Sequence, residues 1–197
     1  MKRKFDTKAI VTTGLLLALE IVFQVIGNYL QFGPVNINLS LVTIVLAGAL
    51  CGPLSGAIVG FFNGLLALFS PSTLAIFMPI SPVGTVIACL AKCTVAGALA
   101  GLFFNLLKKK NLILALIIAS LIVPIVNTGI FTVCCLVFFR PFLESGVNEA
   151  LPNIGTFLIF GVIGWNFIFE ILSTVIISTI TGAVIIKKSQ KSAQNNA

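Results

Sequence analysis

The 197-residue sequence predicts an all-α membrane protein, a compact bundle of six transmembrane helices, and three observations carry that prediction. Apolar residues make up 58% of the chain and charged residues only 9%, against roughly a quarter charged in an ordinary soluble domain. The apolar residues fall into six long runs joined by short loops, more than a soluble core of this size could hide. Basic residues cluster at alternate ends of those runs. One membrane domain, 1–197, is the unit expected, with the lipid bilayer as its solvent.

The first helix is expected over 9–30, after the basic start that holds Lys2, Arg3, Lys4 and Lys8. Its apolar run is too long for a signal peptide, lacks a small-residue cleavage pattern and is interrupted by Glu20, so it reads as an uncleaved span. The second and third helices, 39–51 and 54–70, are short and separated by Gly52-Pro53, a pair that ends one helix and begins another. The fourth, 82–107, starts at a proline and stops at Lys108–Lys110. The fifth, 112–138, contains Pro124, which frees a carbonyl and bends the helix. The sixth, 156–186, is longer than the roughly 20 residues a bilayer requires, and the lysines Lys187, Lys188 and Lys191 follow it.

Six spans put both chain ends on one side, together with the 52–53 and 108–111 turns. Ten of the twelve basic residues then share that side, Arg140 alone lies in the opposite loops, and Lys92 sits within a span. The positive-inside rule makes that side the cytoplasm. This arrangement gives a multi-pass protein of a bacterial plasma membrane with cytoplasmic termini. The same segregation explains the net charge of +7 without nucleic acid as a partner.

Several polar residues lie at matching depth. Glu20, Lys92, Asn127 and Asn166 are each about ten residues from the outer end of their helices, about 15 Å into a bilayer core of about 30 Å. Glu170 is one turn deeper. Glu20, Gln24 and Asn28 form one stripe at four-residue spacing, and Asn166, Glu170, Thr174 and Ser178 form another. A charge at such depth is costly without a partner or a polar cavity. Lys92 and Glu170 either pair within the bundle, contact a ligand or relay a proton, and the residue pattern leaves the three open; Asn127 and Asn166 could equally join helices, and Glu20 could stabilise the bundle through a neighbouring hydroxyl. Converging from separate helices, these groups suggest a pocket open to the outside. The loop 71–81 is apolar and bounded by prolines, as expected either of a lid over that pocket or of a segment dipping into the interface.

Cys51, Cys89, Cys93, Cys134 and Cys135 have no histidine or CxxC spacing near them and read as packing residues, with no metal site and no disulfide framework. The stripe Gly48, Gly52, Gly56, Gly60 and Gly64, with Gly97 and Gly101, permits close helix approach. No GxxxxGK[ST] motif is present, and there is neither a serine–base constellation nor a paired-carboxylate site. No catalytic residue and no catalytic cofactor are therefore expected. An intramembrane enzyme and a non-transport assembly or chaperone subunit remain the competing classes.

At VNINLSLVTIVLAGALCGPLSGAIVGFFNGLLALF (35–69), SPVGTVIACLAKCTVAGALAGL (81–102) and GLLLAL (14–19), the chain resembles the substrate-binding S components of energy-coupling factor (ECF) transporters, bacterial vitamin importers. The core Ala47, Gly48, Gly52, Pro53, Gly56 is similar to a recurring pattern of that family. The resemblance implies six helices, cytosolic termini and high-affinity capture of a vitamin-like small molecule from outside the cell. It implies that Lys92, Asn127, Asn166 and Glu170 lie where ligand is touched, with Asn36 and Asn38 in an outward loop and Phe77 and Met78 in the covering loop. It also implies docking through Gly14 and Ala18 on a transmembrane coupling protein, with two ATPase subunits as further partners and the S component toppling within the membrane to release its ligand. The aromatic content would suit riboflavin, and the buried cation would suit folate, pantothenate or a queuosine precursor.

Overall fold

The computed structural model describes residues 7–29, 31–32, 35–36 and 39–195. Its elements are α1 (Thr7–Tyr29), a two-stranded antiparallel hairpin of β1 (Gln31–Phe32) and β2 (Val35–Asn36), α2 (Ser40–Cys51), α3 (Pro53–Leu68), α4 (Pro82–Leu107), α5 (Leu112–Phe138), α6 (Arg140–Ser145), α7 (Ile154–Thr156) and α8 (Gly164–Asn195). Gln31 pairs with Asn36 and Phe32 with Val35. Among the described residues four helices are long and apolar enough to cross a membrane: α1, α4, α5 and α8. The fold is an all-α, multi-pass bundle.

The starts of α4 and α5 follow from local chemistry. Ser81 caps α4 by accepting from the Gly84 amide, and Pro82 supplies a preset φ at the first turn. Asn111 caps α5 by accepting from Ile113 and Leu114. Pro124 lies inside α5, and the helix continues through it. Gly52 takes a φ of 103° between α2 and α3, a conformation open to glycine that lets Pro53 begin the next helix at once.

At the centre is α2, where every residue from Ser40 to Ala49 is buried. It packs against α1, α3, α4, α5 and α8. That enclosure explains an apolar character on all its faces. Beside it α3 and α4 meet backbone to backbone. A Cβ added at Gly60 would lie 2.1 Å from the Cys93 carbonyl oxygen, and one at Gly97 would lie 2.1 Å from that of Gly56. The glycine stripe is thus a close-packing surface.

On α1, Thr13, Leu16 and Glu20 are buried, while Gly14, Leu15, Ala18 and Val22 are exposed. Near the chain ends Lys8 Nζ donates to Ser189 Oγ at 3.4 Å, so α1 begins and α8 finishes at the same end of the bundle.

Two expectations need correction. A single sixth helix over 156–186 does not form. The chain passes through α7 and a π-helical stretch, Phe157–Ile163, before α8 starts at Gly164. Gly164 has a φ of 44°, which breaks helical continuity, and α8 then runs to Asn195. The segments 71–81 and 139–155, expected as outward loops, are also more ordered than loops: the first holds a π-helical turn, Thr73–Phe77, and the second holds α6.

Candidate ligand cavity

A cavity of about 140 Å³ lies among α4, α5 and the upper part of α8. Lys92 enters it from α4, Asn127, Thr128 and Phe131 from α5, and Asn166, Phe167 and Glu170 from α8. Val162 and Ile163 of the π-helical stretch complete it. Three separate helices therefore bring together an ammonium, two amides, a hydroxyl and a carboxylate. A π-helical turn carries an extra residue per turn and is frequent at functional sites. Here it turns Val162 and Ile163 onto the wall that carries Asn166.

The polar groups have distinct capacities. Lys92 offers donors only, Glu170 can accept at two oxygens, and each asparagine both donates and accepts. Lys92 Nζ stands 4.9 Å from the centre of the Phe131 ring, within cation–π range. Below Glu170 the stripe on α8 enters the interior. Thr174 and Ser178 are fully buried, and among the described residues their hydroxyl oxygens have no hydrogen-bond partner.

Phe77 is not at this wall but above it. Its ring meets Phe131 at 5.5 Å, Phe139 at 4.9 Å and Phe142 at 5.2 Å, all edge-on. Phe142 in turn meets Phe157 at 5.6 Å. The segment 73–77 is thereby pinned to α5, α6 and the π-helical stretch through aromatic contacts, and Phe131 is shared between that cluster and the cavity. Met78 is half-buried beside Phe77 and does not line the cavity. Asn36 belongs to β2, which lies against α8. Asn38 falls outside the described residues.

Glu20 does not join the cavity, although its depth matches. It is fully buried against α2 and α3, where the Thr43 hydroxyl and the Asn63 side-chain amide donate to its two oxygens. Asn63 also donates to Ser40 Oγ at 2.6 Å. Cys93 reaches Asn63 Oδ1 at 3.0 Å and Asn127 Oδ1 at 3.4 Å.

Sequence reasoning did not single out Thr128, Phe131, Phe167, Val162 or Ile163. Phe131 lies one helical turn after Asn127, so helical spacing could have found it. Thr128 and Phe167 are chain neighbours of two residues already marked. Val162 and Ile163 gave no signal, because a π-helical turn follows neither helical nor strand periodicity.

A family model described as ECF transporter, substrate-specific component, matches residues 8–181. No curated protein and no solved structure matches the chain.

Proposed function

The chain belongs to the family of substrate-specific components of ECF transporters, and from that premise we propose that the cavity among α4, α5 and α8 is where it holds a vitamin-like compound taken from outside the cell. Its role is the import of a vitamin or similar small molecule, as a membrane-embedded transport subunit and not as an enzyme.

The convergence of Lys92, Asn127, Asn166 and Glu170 on one cavity carries the reading. Charged and amide groups inside a membrane bundle are costly unless they meet each other, water or a ligand. Here they line a space large enough for several waters and are walled by Phe131 and Phe167. That combination of an apolar wall and few polar groups is typical of small-molecule sites. Lys92 binds an anionic or carbonyl-bearing part of the ligand, Glu170 and the two asparagines fix its other polar edge, and the rings take its flat part. Phe77 and Met78 cover the site, and Asn36 and Asn38 are further ligand contacts by family resemblance.

In this reading α2 and α3 complete six spans as short, enclosed helices, and both termini face the cytoplasm, where the basic flanks belong. Gly14 and Ala18, exposed on α1, form a flat face that docks on the transmembrane coupling protein. Two ATPase subunits behind that protein supply the energy. Riboflavin, folate, pantothenate and a queuosine precursor are the first ligands to try.

Native mass spectrometry of protein purified without added vitamin, followed by calorimetric titration, tests the proposal. A retained or titrated compound should bind tightly to the wild type and about 10- to 100-fold more weakly to Lys92→Ala, the loss of one charge-assisted contact. Unchanged binding in both Lys92→Ala and Asn166→Ala would remove the cavity as the ligand site.

A further inference from the structure

We propose that the ligand of this cavity carries no net charge: it is an uncharged ring that offers a carbonyl oxygen to Lys92 and an N–H to Glu170, as lactams and imides do. The inference deepens the proposed function and rests on the cavity being the ligand site.

The wall holds two ionisable side chains of opposite sign. Lys92 comes from α4 and Glu170 from α8, and every other lining side chain is an amide, a hydroxyl or a hydrocarbon. Glu20 does not line the space and is enclosed with Thr43 and Asn63. Arg140 and Glu144 of α6 pair with each other at 3.1 Å, with side chains 72% and 57% exposed, and together add no net charge. The charges of the wall therefore sum to zero.

The size of the space turns that sum into a selection rule. A sphere of about 140 Å³ is about 6 Å across, and two unit charges about 6 Å apart at an effective dielectric of about 20 change a binding constant about a hundredfold. An anion drawn to Lys92 is thus repelled by Glu170 by a factor of similar size. The two effects cancel, and the cost of stripping water from the anion remains. An uncharged ligand escapes that cost and still makes a charge-assisted hydrogen bond to each side chain.

The two side chains also dictate which polar groups the ligand brings. An ammonium only donates and a carboxylate only accepts, so one end of the ligand must accept and another must donate. A lactam or imide supplies both from one flat ring, whose apolar body suits a wall containing Phe131 and Phe167. A zwitterion would also supply both, with two charges to desolvate instead of none. Among the candidate ligands this favours riboflavin, which has an imide edge, over folate and pantothenate, which carry carboxylates.

Pairs of compounds that differ in charge test the inference on the full-length protein in lipid nanodiscs. Riboflavin is titrated against flavin mononucleotide, pterin against its carboxylate derivative, and pantothenol against pantothenate. In the pair that binds, the uncharged member should bind at least about tenfold more tightly, part of the Coulomb factor above. Glu170→Gln leaves a net positive wall and should move the ratio toward the charged member about 10- to 100-fold. Lys92→Gln leaves a net negative wall and should move the ratio the other way. The shifts have opposite sign, so one variant decides the question where the other folds poorly. A compound excluded by size alone would be excluded equally from both variants.

A charged member bound more tightly by the wild type, or bound with uptake of a proton, overturns the inference. A ratio that neither variant moves does the same. The cavity reading then stands if Lys92→Ala and Asn166→Ala still weaken binding, and falls if they do not. Where no pair binds, the compound retained in native mass spectrometry decides by its own charge, and retention of none overturns both readings.

Discussion

Glu20 and Glu170 lie at similar depth in the bundle and have opposite surroundings. Glu20 is wholly enclosed and receives hydrogen bonds from Thr43 and Asn63. Glu170 faces a cavity with Lys92, Asn127 and Asn166 around it. The difference comes from how the helices beside them pack. Glycines bring α3 and α4 together until backbone touches backbone, leaving no room beside Asn63 for anything but its protein partners. Between α5 and α8, Phe131 and Phe167 instead border a cavity, and Val162 and Ile163 of the π-helical stretch complete its wall. Depth in the membrane makes a polar group expensive, and local packing decides whether protein or ligand offsets that cost.

The sharpest way to break this contrast is to separate α3 from α4. Gly97→Val places a methyl-bearing carbon within 2.1 Å of the Gly56 carbonyl oxygen. Backbone cannot yield there as a flexible side chain would, so a loss above about 4 kcal/mol is expected, seen as failure to obtain folded protein by size exclusion. Next, Glu20→Leu should lower stability by about 1–3 kcal/mol for each buried donor it strands, read as the thermal unfolding midpoint in detergent.

Lys92→Ala should give the opposite profile. Its unfolding midpoint should fall less than that of Glu20→Leu, while affinity falls as stated above. Finding Glu20→Leu stable and Lys92→Ala unfolded would reverse the assignment of the two centres. A purely conformational effect is expected at Gly164, where nothing lies within 4 Å of an added Cβ. Gly164→Ala should cost only the penalty of a positive φ in a glycine-favoured region, about 1–3 kcal/mol, detectable by thermal unfolding with ligand affinity unchanged as a second readout.

The amino-acid pattern makes part of this contrast legible. Apolar run length reveals the helices, and the residues Ser81-Pro82 and Asn111 mark the starts of α4 and α5. Depth counting along those helices finds Lys92, Asn127, Asn166 and Glu170, which the fold brings to one cavity. The same counting gives Glu20 a matching height, and of its two readings the one that fits is a bundle contact through a neighbouring hydroxyl, that of Thr43. Residues per turn give height in a bundle but not which neighbour a side chain meets. That depends on the α3–α4 contact, a long-range consequence of glycines about forty residues apart. The break at Gly164 is hidden for a related reason: a lone glycine in an apolar run is compatible with a continuous helix, and its φ of 44° leaves no trace in local spacing. The aromatic cluster around Phe77 likewise joins residues from four segments that no local spacing connects.

The enclosure of α2 also bears on the order of biosynthesis. This helix precedes most of the bundle in the chain, yet one of its flanks is covered by α8, which follows it by more than a hundred residues. A growing chain must keep that flank against lipid or the insertion machinery until α8 has been made. Because α8 also supplies Asn166 and Glu170, sealing of the interior and completion of the cavity are one event. A nascent chain cut short before α8 would expose α2 and lack a cavity wall, so quality control that detects an uncovered α2 would also remove copies unable to capture cargo.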